Sequence, residues 1–126
     1  MGAKKILFVD DEAGIRAVIG RRLMAWNFDV LVVENANEAL AKVEGFAPDF
    51  IALDHEMPGM KGMELCSLMK ANSSLVDVPI VIFTCRSKLD YEFERDCIDA
   101  GAMAVVNKSD FGELLLILKK VFAQKK

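Results

Sequence analysis

The stretch DFIALDHEMPGMKG, residues 49–62, puts a carboxylate at the end of an apolar run. Phe50, Ile51, Ala52 and Leu53 read as a buried strand. Asp54 follows at once, then His55, Glu56 and Met57, and a turn marked by Pro58 and Gly59. A buried strand that ends in a carboxylate is costly unless something pairs with the charge. What Asp54 meets is the question the rest of the chain must answer.

Working outward, short apolar runs alternate with helical patterns. Ile6 to Val9 is a first strand, followed over residues 13–26 by Ile15, Val18, Ile19, Leu23 and Trp26 at helical spacing. Asp29 to Val33 is a second strand, and Asn35 or Asn37 caps a helix that runs through Val43 and stops at Gly45. After the 49–62 stretch, a helix over about residues 62–71 carries Met63, Leu65, Cys66 and Met69. Pro79 opens a fourth strand, Ile80 to Phe83, ending at Thr84. Residues 88–99 follow as a helix with Leu89, Phe93, Cys97 and Ile98 inward, stopped at Gly101. Met103 to Val106 is the fifth strand, closed by Asn107 and Lys108. The last helix covers about Phe111 to Phe122, with Asp110 as its N-cap and lysines near its negative end.

Alternating strands and helices with short connections imply a parallel sheet covered on both faces. Right-handed crossovers restrict this to an α/β, doubly wound sheet, and the order expected for its five strands is the flavodoxin-like 2-1-3-4-5. No linker or low-complexity segment interrupts it, so residues 1–126 are expected to form one domain with a core at about 4–123.

Composition sets further bounds. The net charge of −3 gives no global reason for nucleic-acid binding. No apolar run approaches the roughly 20 residues of a membrane span, and MGAKKILFVDDE lacks a signal-peptide layout. The expected location is the cytoplasm, with no direct membrane or nucleic-acid partner. Cys66, Cys85 and Cys97 form no CxxC pair or metal spacing and are expected as reduced, partly buried thiols.

In a parallel sheet every strand ends on the same edge, which is where ligands bind. Strand one ends in Asp10-Asp11-Glu12, strand three in Asp54, strand four in Thr84 and strand five in Asn107-Lys108. Strands one and three are neighbours in this order, so three aspartates converge. They repel unless a cation joins them, and a hard divalent ion such as Mg²⁺ or Mn²⁺ suits such oxygen donors. Asp54 is then placed as a nucleophile towards phosphorus, with Lys108 and Thr84 as ligands to the oxygens of the transferred group.

These residues carry a resemblance. FVDDE at 8–12, LDHEMPGMKG at 53–62, VIFT at 81–84 and NKS at 107–109 resemble the response-regulator receiver domains of two-component signalling, of the single-domain chemotaxis type. The likeness covers residues 4–123. It implies that Asp54 is the phosphoacceptor, that Asp11 holds Mg²⁺ directly and Asp10 largely through water, and that the Glu56 carbonyl is a further ligand. It also implies that Thr84 is the switch hydroxyl and Lys108 the phosphate-binding cation. Pro58, Gly59 and Gly62 would frame the loop. The implied partners are a sensor histidine kinase or histidine phosphotransfer protein as donor, and an effector on the face of the fourth helix, fifth strand and fifth helix. The leucine-rich run Leu114 to Leu118 leaves apolar surface for a partner or a dimer mate.

Four positions depart from the commonest family pattern. Cys85 stands where a smaller residue follows the threonine, and is expected to slow phosphotransfer or hydrolysis. Ser109 follows the lysine in place of proline. Val105 stands at the switch position, usually aromatic. Glu56 and Arg86 are expected to pair across the entrance and to control water access.

His55, the only histidine, reads better as an exposed loop residue than as a catalytic one. Met57, Met60 and Met63 read as loop and core packing. Two rivals stand beside the switch: a phosphohydrolase with an aspartate nucleophile, for which Glu56 has the spacing of an acid/base, and a receiver-like module that is never phosphorylated. A nucleotide-binding domain is disfavoured because no glycine-rich loop follows the first strand.

Overall fold

The apolar runs, lacking polar alternation, fold as strands, and those at the centre of the sheet are buried on both faces. The computed structural model describes residues 2–85 and 91–123. Its order is β1 (Lys5–Val9), α1 (Ala13–Ala25), β2 (Asp29–Val33), α2 (Ala36–Phe46), β3 (Phe50–Asp54), α3 (Gly62–Lys70), β4 (Ile80–Thr84), α4 (Tyr91–Asp99), β5 (Ala104–Asn107) and α5 (Phe111–Ala123). All pairings are parallel, and the five-stranded sheet has the order β2-β1-β3-β4-β5.

Successive strand side chains point to opposite faces. Ile6, Phe8, Phe50, Ala52, Val81, Phe83 and Val106 pack with Ile19 and Leu23 of α1 and Leu114 and Leu118 of α5. Leu7, Val9, Ile51, Leu53, Ile80, Ile82 and Val105 pack with residues of α2, α3 and α4, among them Val43, Leu65, Met69, Phe93 and Cys97. Both layers are built from side chains worth about 1.5–3 kcal/mol each on burial. This leaves the strand ends as the place for polar chemistry.

The helices depart from the sequence reading in detail. Asn35 is the cap of α2, its side chain accepting the Glu38 N–H at 2.8 Å. That helix runs past Gly45 to Phe46, because Ala47 takes the left-handed conformation at φ 53° and donates its N–H to the Val43 carbonyl. Asp110 caps α5 by accepting the Glu113 N–H at 3.0 Å. In α4, Phe93 and Cys97 are buried one turn apart, while Ile98 is 44% exposed and not inward. The expected start of that helix at residue 88, and Leu89 with it, lie outside the described residues. On α5, Leu114 and Leu118 are buried and Leu116 is exposed. No helix among the described residues is long and apolar enough to cross a membrane.

Candidate functional site

Register brings the polar strand ends together. β1 pairs Val9 with Leu53 of β3, so Asp10, the next residue, stands beside Asp54. Asp54 in turn pairs with Phe83, and Thr84, the last residue of β4, pairs with Asn107. Lys108 follows immediately, tied by its backbone N–H to the Thr84 carbonyl at 2.8 Å. Strand parity continues past the last rungs: Asp10 follows Ile6 and Phe8, Asp54 follows Phe50 and Ala52, and Lys108 follows Val106, all in the α1/α5 layer.

The Lys108 ammonium meets both buried acids, at 2.5 Å from Asp10 Oδ2 and 3.0 Å from Asp54 Oδ1. Its side chain is 5% exposed, so these pairs sit out of water. The Glu56 N–H also donates to Asp54 Oδ1, at 3.1 Å, and the Glu12 N–H donates to Asp10 Oδ1 at 2.9 Å. Burial pushes the Asp54 carboxyl up from its ordinary 3.8 to about 6, with the Asp10 charge adding to the rise and Lys108 opposing it. Burial alone would lower Lys108, but its hydrogen bonds to Asp10 and Asp54 outweigh that and raise it above 10.5.

Asp11 is exposed on the outer side, and one carboxylate oxygen from each of Asp10, Asp11 and Asp54 lies within 4.8 Å of the others. With these acids ionised, the buried Asp10-Asp54-Lys108 trio carries one net negative charge and Asp11 adds a second. Two uncompensated charges on clustered, hard oxygen donors fit a divalent cation of the Mg²⁺ or Mn²⁺ kind. A cleft of about 460 Å³ lined by Asp11, Glu34, Asn35, Asn37 and Pro58 opens beside them.

The loop that frames Asp54 depends on Gly62. Its N–H donates to the His55 carbonyl at 3.2 Å, and a Cβ there would overlap the Asp54 carbonyl and lie 2.9 Å from His55 Cα. Met57 is buried beneath the loop, and Met60 and Met63 pack partly against the same core. At the other strand end, the Asn107 side-chain oxygen accepts from both the N–H and the hydroxyl of Ser109, at 2.8 and 2.7 Å. That side-chain bridge makes the turn after Lys108 without proline, and no cis peptide occurs among the described residues.

The structure thus gathers Asp10, Asp11, Asp54 and Lys108, with buried Thr84 on the adjacent strand end. Cys85 is exposed just beyond Thr84, and Val105 is buried in β5 against the α2–α4 layer. Arg86 lies outside the described residues, so its pairing with Glu56 does too. Among the described residues, Lys61 Nζ lies 4.0 Å from Glu56 Oε1 across the Pro58-Gly59 turn. His55 corrects the sequence reading outright. It is 8% exposed, not a surface loop residue, because it continues the inward series Ile51, Leu53 and packs on Phe93.

One residue escaped sequence reasoning. Arg16, on the first turn of α1, donates from Nη1 to the Asp10 carbonyl at 2.7 Å, and its Nη2 lies 3.7 Å from Glu34 Oε1. Its signal was its spacing, one helical turn after Glu12, which faces it back towards the end of β1.

A family model described as the response regulator receiver domain matches residues 6–119. The phosphate regulon transcriptional regulatory protein PhoB of Pseudomonas aeruginosa is 35% identical over 108 residues, covering 86% of this chain and 46% of that protein. The solved chemotaxis protein CheY4 of Vibrio cholerae superposes with a TM-score of 0.88 at 28% identity, covering 95% of this chain and 99% of that one. A CheY-like response regulator receiver domain protein of Methanospirillum hungatei gives 0.83 at 27% identity, covering 98% of each chain. The chain spans less than half the length of the curated relatives it matches.

Proposed function

The chain belongs to the response regulator receiver domain family, and from that membership we propose that Asp54 accepts a phosphoryl group from a phosphohistidine donor in a phosphorelay, with the domain acting as a switch and not as a turnover enzyme. The observation that supports this most is the convergence of Asp54, Asp10, Asp11 and Lys108 at one sheet edge. The residues that would hold Mg²⁺ or Mn²⁺ are Asp10, Asp11 and Asp54, with the Glu56 carbonyl as a further ligand. When bound, the cation neutralises charge on the transferred group.

The protein's own part follows from its contacts. Asp54 is pinned through Oδ1 by Lys108 and the Glu56 N–H, which orients the carboxylate for in-line attack. An Asp54 oxygen forms the P–O bond as the donor P–N bond breaks, and the bonding electron pair stays on that nitrogen, leaving a neutral imidazole whose proton is on the other ring nitrogen. Lys108 then shifts its bonds from carboxylate to phosphoryl oxygens, and the Thr84 hydroxyl binds another. Phosphorylation replaces a carboxylate with a dianionic group of three acceptor oxygens, and that change biases the surface of α4, β5 and α5 towards an effector. Leu116, exposed on α5, is apolar surface such an effector or a second copy would cover. The donor would be a sensor histidine kinase or histidine phosphotransfer protein, and the site of action the cytoplasm. Cys85 beside Thr84, and Glu56 with Lys61 at the loop, are placed to set how quickly donor and water enter.

The test is labelling by a small phosphodonor such as acetyl phosphate, read by intact mass. Wild type should gain one phosphoryl group with Mg²⁺ and none with EDTA, while Asp54→Asn should gain none. Equal labelling of wild type and Asp54→Asn would overturn the proposal.

A further inference from the structure

We propose that Arg16 is a positioning residue for the divalent-cation site, holding the Asp10–Asp11 peptide in the orientation that presents the Asp11 carboxylate to the ion. The proposal rests on reading Asp10, Asp11 and Asp54 as that site. The two buried acids are fixed already, Asp54 by Lys108 and the Glu56 N–H, Asp10 by Lys108 and the Glu12 N–H. Asp11 is exposed, and what aims its carboxylate is its backbone.

The Asp10 carbonyl and the Asp11 N–H belong to one rigid peptide plane. Arg16 Nη1 donates to that carbonyl at 2.7 Å, a short, charge-assisted bond. A tilt of the plane would break this bond and swing Asp11 Cα away from Asp10 and Asp54. The fork is steadied at its other nitrogen, where Glu34 Oε1 lies 3.7 Å from Nη2, and Glu34 is itself on the wall of the cleft that opens over Asp11. Glu34 is in turn anchored through its N–H to Glu38 Oε1 at 2.9 Å, on the capped first turn of α2. The Arg16 side chain, 19% exposed, is thus held by α1 on one side and reaches both β1 and the turn after β2.

Charge and geometry make opposite predictions here, which allows a clean test. A guanidinium beside three carboxylates repels an incoming cation, so removing it should tighten binding if only charge mattered. Removing an outer partner that orients a ligand typically weakens metal affinity by roughly tenfold or more. Mn²⁺ binding to the full chain, followed by loss of the free-ion electron paramagnetic resonance signal, reads the sign directly, with thermal melts confirming that each variant is folded. Arg16→Gln should bind roughly tenfold more weakly than wild type. Unchanged or tighter binding would overturn the proposal.

Arg16→Lys keeps the charge but loses the fork, and should fall between the two; wild-type affinity in this variant would also overturn it, and this variant decides if Arg16→Gln does not fold. Glu34→Gln leaves the carbonyl bond in place and should weaken binding less than Arg16→Gln, whereas an equal loss would move the effect to Glu34 and reject the role given to Arg16. Asp11→Asn is the control for the site itself. If Arg16→Gln fails to weaken binding while Asp11→Asn abolishes it, the cation site stands and only the positioning role falls. If wild type binds no Mn²⁺, the cation reading falls and takes the proposal with it.

Discussion

The rings of His55 and Phe93 meet edge to face, with centroids 4.8 Å apart and planes inclined by 73°. His55 is the residue after Asp54, and Phe93 is on the buried side of α4. The same histidine accepts the Met57 and Gly62 N–H groups on its carbonyl, so one residue ties the loop beside Asp54 to α4.

His55→Ala should therefore loosen α4 selectively. Edge-to-face pairs contribute about 0.5–1.5 kcal/mol beyond burial, so a total loss of about 1–2 kcal/mol is expected. Amide exchange across Tyr91–Asp99 should accelerate by roughly tenfold relative to β1 and β3, which follow global unfolding. His55→Phe, which keeps the ring pair, should stay near wild type. A uniform change over all elements would reject the coupling.

Gly62→Ala tests the close approach behind Asp54. The added methyl would overlap the Asp54 carbonyl, a backbone group, with no flexible side chain to yield. A destabilisation of about 2–3 kcal/mol is expected by urea denaturation, together with slower labelling of Asp54. Wild-type values for both would show that the loop relaxes without moving the strand end.

The thiols should separate by burial. Cys66 is fully buried, and burial pushes its thiol up to about 11, so thiolate is scarce at neutral pH. Cys97 is buried too, whereas Cys85 is exposed. In the folded protein a maleimide should modify Cys85 alone, and Cys85→Ser should abolish the fast reaction. Rapid modification of Cys66 would contradict the packing of α3. The labelled protein then reports whether bulk beside Thr84 slows phosphoryl entry.

Much of the sheet is legible because burial on both faces strips a strand of polar residues, so the first polar residues after a run mark its end. That logic puts Asp10, Asp54, Thr84 and Lys108 on one edge, as the register shows. It does not reach His55, which the family resemblance puts at a variable loop position, whereas parity with Ile51 and Leu53 turns the ring towards α4. Ile98 was misjudged because a nine-residue helix on a sheet buries one narrow stripe, here Phe93 and Cys97. The Lys61 neighbour of Glu56 and the reach of Arg16 both depend on turn geometry, which spacing alone does not express.

Asp54→Asn and Lys108→Ala should move stability in opposite directions when no divalent cation is present. The Asp54 carboxyl is raised to about 6 in the folded chain, chiefly by burial, against an ordinary 3.8. A raised carboxyl favours folding fully below pH 3.8 and loses that advantage as pH rises through about 6. At neutral pH the ionised Asp54 is therefore a penalty, and Asp54→Asn should stabilise the metal-free protein by about 1–3 kcal/mol. The gain should shrink below pH 5, roughly the middle of that window, and Mg²⁺ should narrow it by stabilising wild type alone. Lys108→Ala removes an ammonium bound to both buried acids. It should destabilise by about 3 kcal/mol, as breaking a buried pair does, with partial rescue by Mg²⁺ or by acid. Thermal melts from acid to neutral pH, with EDTA or Mg²⁺, measure both. A destabilised Asp54→Asn at neutral pH in EDTA would mean that Lys108 already compensates the buried carboxylate in full.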